Sequence, residues 1–112
     1  MSDDVIVAGE DHQVALYIPY INGGYATSTD VVDITAKVYG LSGITYGNYS
    51  LKNASGLIKP IVEDSREFSF WIDKVSTTAA LGDELRVDVT VTWSINGSNK
   101  DELFVNELPR VV

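Results

Sequence analysis

The sequence contains no cysteine and a single histidine, His12. Without cysteine there is no disulfide framework and no thiolate chemistry. A metal site needs several convergent ligands, and His12 has no second imidazole to join it. A serine hydrolase triad needs a base, but His12 follows Glu10 and Asp11 and is more typical of a surface residue. We therefore predict that the protein is not an enzyme, with no catalytic residue, no cofactor and no metal ligand.

Basic residues are also scarce. The chain has 8 Lys and Arg against 16 Asp and Glu, which gives a formal net charge of −8, and no Lys/Arg cluster occurs. A negative surface repels phosphate backbones and anionic lipids, so we expect no nucleic-acid partner and no membrane partner. The acidic residues near the start do not match an ordered calcium loop, and a solvated acidic face explains them more simply.

Long apolar runs and amphipathic helices are missing as well. The chain starts with Met1-Ser2-Asp3-Asp4, which is acidic where a secretory signal would be basic and apolar. We expect synthesis in the cytosol without a signal peptide and, if Met1 is native, a complete small protein. A length of 112 residues is typical of one domain, so residues 1–112 are predicted to form a single domain.

The clearest pattern in the chain lies between Leu85 and Ile95. Apolar residues occupy every second position there, and polar residues occupy the positions between them. Because successive strand side chains point to opposite faces, this stretch is predicted to be a long strand with one apolar face. Asn96-Gly97 favours a hairpin turn, after which Leu103 to Val105 is predicted to return as a shorter partner.

Similar short stretches recur along the chain, among them a first strand predicted at 5–8 and a strand predicted from Glu67 to Ile72. Residues 22–29 are predicted to be a polar loop, and residues 40–43, which begin and end with glycine, a turn. The recurring stretches predict about seven or eight strands, and the only helix-like segment is one short turn near 76–82, which a Ser or Thr can cap and Gly82 can end. The segment from Ile44 to Leu51 is compatible with a strand, a hairpin or an extended loop. A last strand is predicted after Pro109. The fold class is therefore all-β, a single antiparallel β-sandwich.

The aromatic residues are the main candidates for binding. Trp71 lies on the opposite parity from Phe68, Phe70 and Ile72, so it is predicted to be exposed and to mark an interface, although a core position is the alternative. Trp93 is predicted to lie in the core. Tyrosines in or beside the loops can form an interface or a sugar platform, or can fill the ends of the sandwich. The candidate interface residues are Tyr20, Tyr25, Tyr46, Tyr49 and Trp71.

Two regions of the chain resemble a known group of proteins. Asp30-Val31-Val32-Asp33-Ile34-Thr35-Ala36-Lys37-Val38 is similar to an early strand of small immunoglobulin-like sandwiches in tailed-phage virions. The second half is similar to theirs in the order of its parts: Phe68-Ser69-Phe70-Trp71-Ile72, a short turn ending at Gly82, a long alternating strand and Asn96-Gly97. The resemblance covers roughly half of the chain and implies an immunoglobulin-like sandwich. Such modules act through surfaces, so it transfers no functional residues.

The resemblance also implies a function. We expect a non-catalytic structural protein of a bacteriophage particle: a capsid decoration, neck or tail component whose partners are other virion proteins or itself, in an oligomer or assembly. Its expected location is the virion, after synthesis in the host cytoplasm. The alternative is a carbohydrate-binding accessory module that binds a glycan through tyrosine-rich loops. The sequence does not specify the place in the particle, the partner, the stoichiometry or the order of the strands.

Overall fold

The computed structural model describes residues 5–17, 20–21, 24–25, 31–52, 58–60, 67–95 and 98–112. Two antiparallel sheets pack face to face, which confirms the predicted sandwich. The strands are β1 (His12–Tyr17), β2 (Tyr20–Ile21), β3 (Gly24–Tyr25), β4 (Val31–Gly40), β5 (Thr45–Ser50), β6 (Lys59–Pro60), β7 (Glu67–Ile72), β8 (Glu84–Ile95) and β9 (Ser98–Arg110). The helix α1 spans Lys74–Ala79.

The order of the strands in the two large sheets is β1-β7-β6 and β5-β4-β8-β9. Strands β4 and β5, and strands β8 and β9, are antiparallel neighbours, whereas the chain crosses between the two large sheets before β4, before β6 and before β8. Strands β2 and β3 form a separate pair in which Tyr20 opposes Tyr25. Residues 22–29 were predicted to be a loop, so the pairing of Gly24–Tyr25 is a correction to that prediction.

The core lies between the inner faces of the two large sheets. Val14, Leu16, Phe68, Phe70 and Ile72 contribute from one sheet, and the odd-numbered residues of β8 from Leu85 to Trp93 contribute from the other. The alternation in sequence therefore marks the buried face correctly. Fully burying a side chain such as Phe70 contributes about 1.5–3 kcal/mol, and Trp93 is 2% exposed, as predicted for a core residue.

The helix α1 connects the sheets between β7 and β8, and it begins two residues before the predicted turn. The cap is Asp73 rather than a Ser or Thr, because the Asp73 carboxylate accepts a hydrogen bond of 2.8 Å from the amide of Ser76. Residues 80–82 lie beyond the helix end. Gly82 has the predicted left-handed conformation, with φ of 87°, which lets the chain reverse into β8.

Strand β9 is longer than predicted. It pairs with β8 from the pair Ile95–Ser98 to the pair Glu84–Arg110. The strand therefore runs through Pro109 and ends at Arg110, and the last strand predicted after Pro109 is reduced to a single bridge between Val111 and Ile6. The register shifts between Glu84 and Arg86, which is where Pro109 falls on the partner strand. Proline cannot donate to the ladder, and such an irregularity accommodates it.

The first described residues lie beside the end of β9. They form a single bridge, Ile6 to Val111, in parallel orientation, where a first strand was predicted. The amide of Val112 donates to the carbonyl of Ile6, and the amide of Ala8 donates to the carbonyl of Val112, both at 2.8 Å. The two ends of the described chain are therefore held together by backbone hydrogen bonds.

Candidate interaction surfaces

Trp71 lies on the outer face of the three-stranded sheet and is 57% exposed, as its parity predicted. Gln13 lies directly opposite it on β1, and Ala15 lies opposite Ser69. The amide Nε2 of Gln13 donates a hydrogen bond of 3.3 Å to Oγ of Ser69. This surface, the Trp71 face, combines one large aromatic side chain with hydrogen-bonding groups on a rigid sheet. It can bind either a protein surface or a polar ring stacked on the indole.

Tyr46 lies on β5, which resolves the open interpretation of that segment in favour of a strand. Its hydroxyl donates a hydrogen bond of 2.7 Å to Asp83, and the hydroxyl of Ser42 donates to the same carboxylate oxygen at 2.5 Å. The amides of Ser42 and Glu84 donate to the other oxygen at 3.3 and 3.0 Å. Asp83 therefore ties the β4–β5 turn to the start of β8.

The charge state of this cluster follows from its hydrogen bonds. The hydroxyls of Ser42 and Tyr46 stabilise the carboxylate of Asp83 and hold its pKa below the usual value. The pKa of Tyr46 is raised, first by burial and then by its hydrogen bond to Asp83. Tyr46 is thus engaged inside its own chain and serves to position a turn.

Tyr49 also contacts the interior. Its ring stacks on Phe70 of the opposite sheet with the two centroids 4.3 Å apart, so it spans the sandwich at its β5 edge. Burial, followed by the negative charge of Asp73, raises its pKa. Neither Tyr46 nor Tyr49 shares the Trp71 face. The backbones of Tyr20 and Tyr25 pair in β2–β3, and their side chains lie outside the described part of the structure. Among the side chains that the structure describes, Tyr46 and Tyr49 both pack against the core, whereas Trp71 points outward from the other sheet.

Several exposed apolar side chains were not predicted to mark an interface. Leu41 lies in the β4–β5 turn, where its amide donates to the carbonyl of Glu84, and Leu81 lies in the turn after α1. The sequence signal for each is an apolar residue next to a glycine in a predicted turn, Gly40 for Leu41 and Gly82 for Leu81. The large apolar side chains that the structure shows as exposed are Val5, Val7, Leu41, Ile44, Trp71, Val75, Leu81, Leu103, Val105 and Val112.

The outer face of the four-stranded sheet contains a shallow groove of about 440 Å³. Its walls are mainly polar side chains, with Leu103 at one side; the polar ones are Thr35, Lys37, Asn48, Ser50, Asp88 and Thr90. Asp88 accepts a hydrogen bond of 3.1 Å from the hydroxyl of Tyr39, which stands beside the groove. Burial and this hydrogen bond raise the pKa of Tyr39. The groove presents hydroxyl, amide, amine and carboxylate groups to a bound molecule.

Two further properties concern metals and membranes. Among the residues that the structure describes, no group of three or more His, Cys, Asp or Glu side chains is arranged to hold a metal ion. Within the same ranges, no helix has the length and apolar character needed to cross a bilayer.

No protein-family model matches the chain, and no curated protein matches it either.

Proposed function

We propose that this protein is a non-catalytic structural component of a tailed-phage particle, such as a capsid decoration, neck or tail protein, that binds neighbouring virion proteins. The observation that supports a binding role is Trp71, a large aromatic side chain exposed on the outer face of β7, the middle strand of its sheet. Tryptophans in such positions are enriched among the residues that dominate binding energy in protein interfaces. The phage assignment rests on the resemblance of residues 30–38 and 68–97 to small virion sandwiches.

The proposed mechanism is adhesion through preformed surfaces. The Trp71 face and the outer face of the four-stranded sheet lie on opposite sides of the sandwich, so one copy can contact two neighbours. A rigid sheet loses little conformational entropy on binding, which favours affinity for a given contact area. With a net charge of −8, the partner surfaces are expected to be neutral or basic proteins and not nucleic acid. The protein is made in the host cytoplasm and incorporated into the virion there.

The test measures whether the protein is incorporated into phage particles. A tagged copy is produced during phage growth in the native host, and particles are purified by density-gradient banding. The wild-type chain is expected to band with particles in a fixed ratio to the major capsid or tail protein. Trp71→Ala is expected to reduce that ratio, whereas Val75→Ala, which trims an exposed apolar side chain on α1, is expected to leave it unchanged. A wild-type chain that never bands with particles contradicts the proposal.

A carbohydrate-binding module is the second candidate, and it now rests on the Trp71 face. Tyr46 and Tyr49 are bound to their own chain, whereas the exposed indole of Trp71 stands beside the polar groups of Gln13 and Ser69. Stacking of a sugar ring on an indole, with hydrogen bonds beside it, is a recurring form of recognition. Quenching of Trp71 fluorescence by members of a glycan panel, lost in Trp71→Ala and in Gln13→Ala, would favour this function over the first.

A further inference from the structure

The edge of β9 that faces away from β8 is open along most of its length. Just beyond its end, segment 5–8 covers this edge by pairing with Val111 and Val112, and Pro109 has no amide to donate to a new partner. Among the described residues, no strand pairs with the remaining stretch, Ser98 to Leu108. Most of this stretch is exposed on both faces, with only Phe104 and Leu108 partly covered. An open strand edge is a template for pairing with another strand.

The open stretch is self-complementary in one register. A two-fold axis through Leu103 places Leu103 of one copy directly opposite Leu103 of the other. Ser98 of each copy is then opposite Leu108 of the other, so the whole open edge is paired and Pro109 lies outside the pairing. In an antiparallel pair, directly opposite residues lie on the same face of the sheet. The two-fold axis must therefore pass through a residue, and the neighbouring registers have the axis at Phe104 or at Glu102. Moving the axis by one residue to Phe104 sets Asp101 against Glu107, and moving it to Glu102 sets Glu102 against itself. Both registers place like charges directly opposite, which is destabilising.

The Leu103-centred register also brings apolar side chains together on both faces of the sheet. On the outer face the two Leu103 side chains meet, and each Val105 lies diagonally beside the partner's Leu103 within reach of contact. On the inner face the two Phe104 rings lie diagonally across the axis, each directly opposite Glu102 of the other copy. No two charged side chains stand directly opposite one another in this register.

We propose that a second copy of this chain binds to β9 in this register, joining two four-stranded sheets into one continuous sheet across the dimer. This contact would be one of the interfaces in the assembly proposed above, and in that respect it rests on the proposed function. It can nevertheless be tested with the purified protein alone. A failure of dimerisation therefore leaves the virion function standing, and absence from particles leaves the dimer standing. Asp101 and Glu107 of the two copies are diagonal neighbours, so added salt is expected to strengthen the dimer by screening their repulsion.

The register is tested by cross-linking a unique cysteine, since the natural chain has none. Directly opposite residues of an antiparallel pair have Cα atoms about 4.5–5.5 Å apart, within the range that a disulfide spans. Leu103→Cys is expected to give a cross-linked dimer on mild oxidation. Leu81→Cys is the matched control, because Leu81 and Leu103 are both 63% exposed and Leu81 lies in the turn after α1. Equal cross-linking of the two variants would contradict the register.

The dimer itself is tested by light scattering of the uncross-linked chain over a concentration series, at low and high salt. We expect a reversible monomer–dimer equilibrium that Leu103→Lys weakens about tenfold or more, since it places two ammonium groups opposite one another. Leu81→Lys is expected to leave it unchanged. A chain that is monomeric at every concentration overturns the proposal, and so does a dimer that Leu81→Lys weakens more than Leu103→Lys.

Discussion

Thr77 provides the most direct test of how the fold is held together. It is the one buried polar residue that the described part of the structure shows, with no exposed surface. Its hydroxyl oxygen accepts a hydrogen bond of 3.1 Å from the amide of Gly9, and the hydroxyl donates a hydrogen bond of 2.9 Å to the carbonyl of Glu10, with the carbonyl of Lys74 as a second acceptor at 3.2 Å. Through these bonds α1 holds the segment that leads into β1, across 68 residues of sequence.

Two substitutions distinguish the stabilisation that comes from the Thr77 hydroxyl from the stabilisation that comes from its buried methyl group. Thr77→Val keeps the shape but removes both hydrogen bonds, and with a net value of about 0.5–1.5 kcal/mol for each bond we expect a loss of about 2 kcal/mol. Gly9 is exposed, so its amide can turn to water, which keeps the loss from being larger. Thr77→Ser keeps the hydroxyl and loses one buried methyl group, for which we expect about 1 kcal/mol.

The assay is urea unfolding at 25 °C, followed by the fluorescence of the buried Trp93. A loss of about 2 kcal/mol moves the midpoint by roughly 1 M urea and the melting temperature by about 8 °C for a domain of this size. Amide exchange at Gly9 is expected to accelerate in Thr77→Val and to stay slow in Thr77→Ser. If Thr77→Val were as stable as the natural chain, or more stable than Thr77→Ser, the assignment of the stabilisation to these bonds would be refuted.

Three further predictions concern other parts of the fold. Because the folded-state pKa of Asp83 is lowered, its stabilising contribution is present above its unfolded pKa and is lost as pH falls through the folded pKa; an acid titration of stability should therefore be flatter for Asp83→Asn than for the natural chain. Gly40→Ala should destabilise the fold by about 1–3 kcal/mol in thermal unfolding, since a Cβ there would overlap the carboxylate of Asp83, which is fixed by its hydrogen bonds; a neutral result would show that the carboxylate moves freely. Trp71→Ala should change the free energy of unfolding by no more than about 0.5 kcal/mol, whereas Trp93→Ala should lower it by about 3–5 kcal/mol, and equal effects in urea unfolding would contradict the burial assigned to the two residues.

Strands with one buried face were predictable from the sequence, and the others were not. The prediction of a strand from Glu67 to Ile72 is confirmed residue for residue, and β8 differs from its prediction by one residue. In both, a period of two sets which side chains are buried, so the apolar pattern specifies the face and the register. Strand β9 carries no such pattern because it is an edge strand exposed on both faces, and its apolar run from Leu103 to Val105 marks only its centre.

The candidate site was predictable only in part, for a related reason. Parity alone placed Trp71 outside and Trp93 inside. Tyr46 and Tyr49 surround Gly47, which interrupts the strand pattern, and only the structure shows why: the ring of Tyr49 lies within 3 Å of where a Cβ on Gly47 would stand. Likewise, the acceptor for the Tyr46 hydroxyl is Asp83, 37 residues away, a distance at which sequence carries no contact information.

The parallel contact between the two ends of the described chain has a mechanical consequence. When the ends are pulled apart, Ile6 is drawn one way along the strand axis and Val112 the other way, so the load acts along the strands. The two hydrogen bonds between these segments are then sheared together and do not open one at a time. On the opposite side of the C-terminal segment, Val111 forms hydrogen bonds with Gly82 and Asp83, which connect this segment to the start of β8. We therefore expect the sandwich to resist tension along its strands until both hydrogen bonds between the two ends break together.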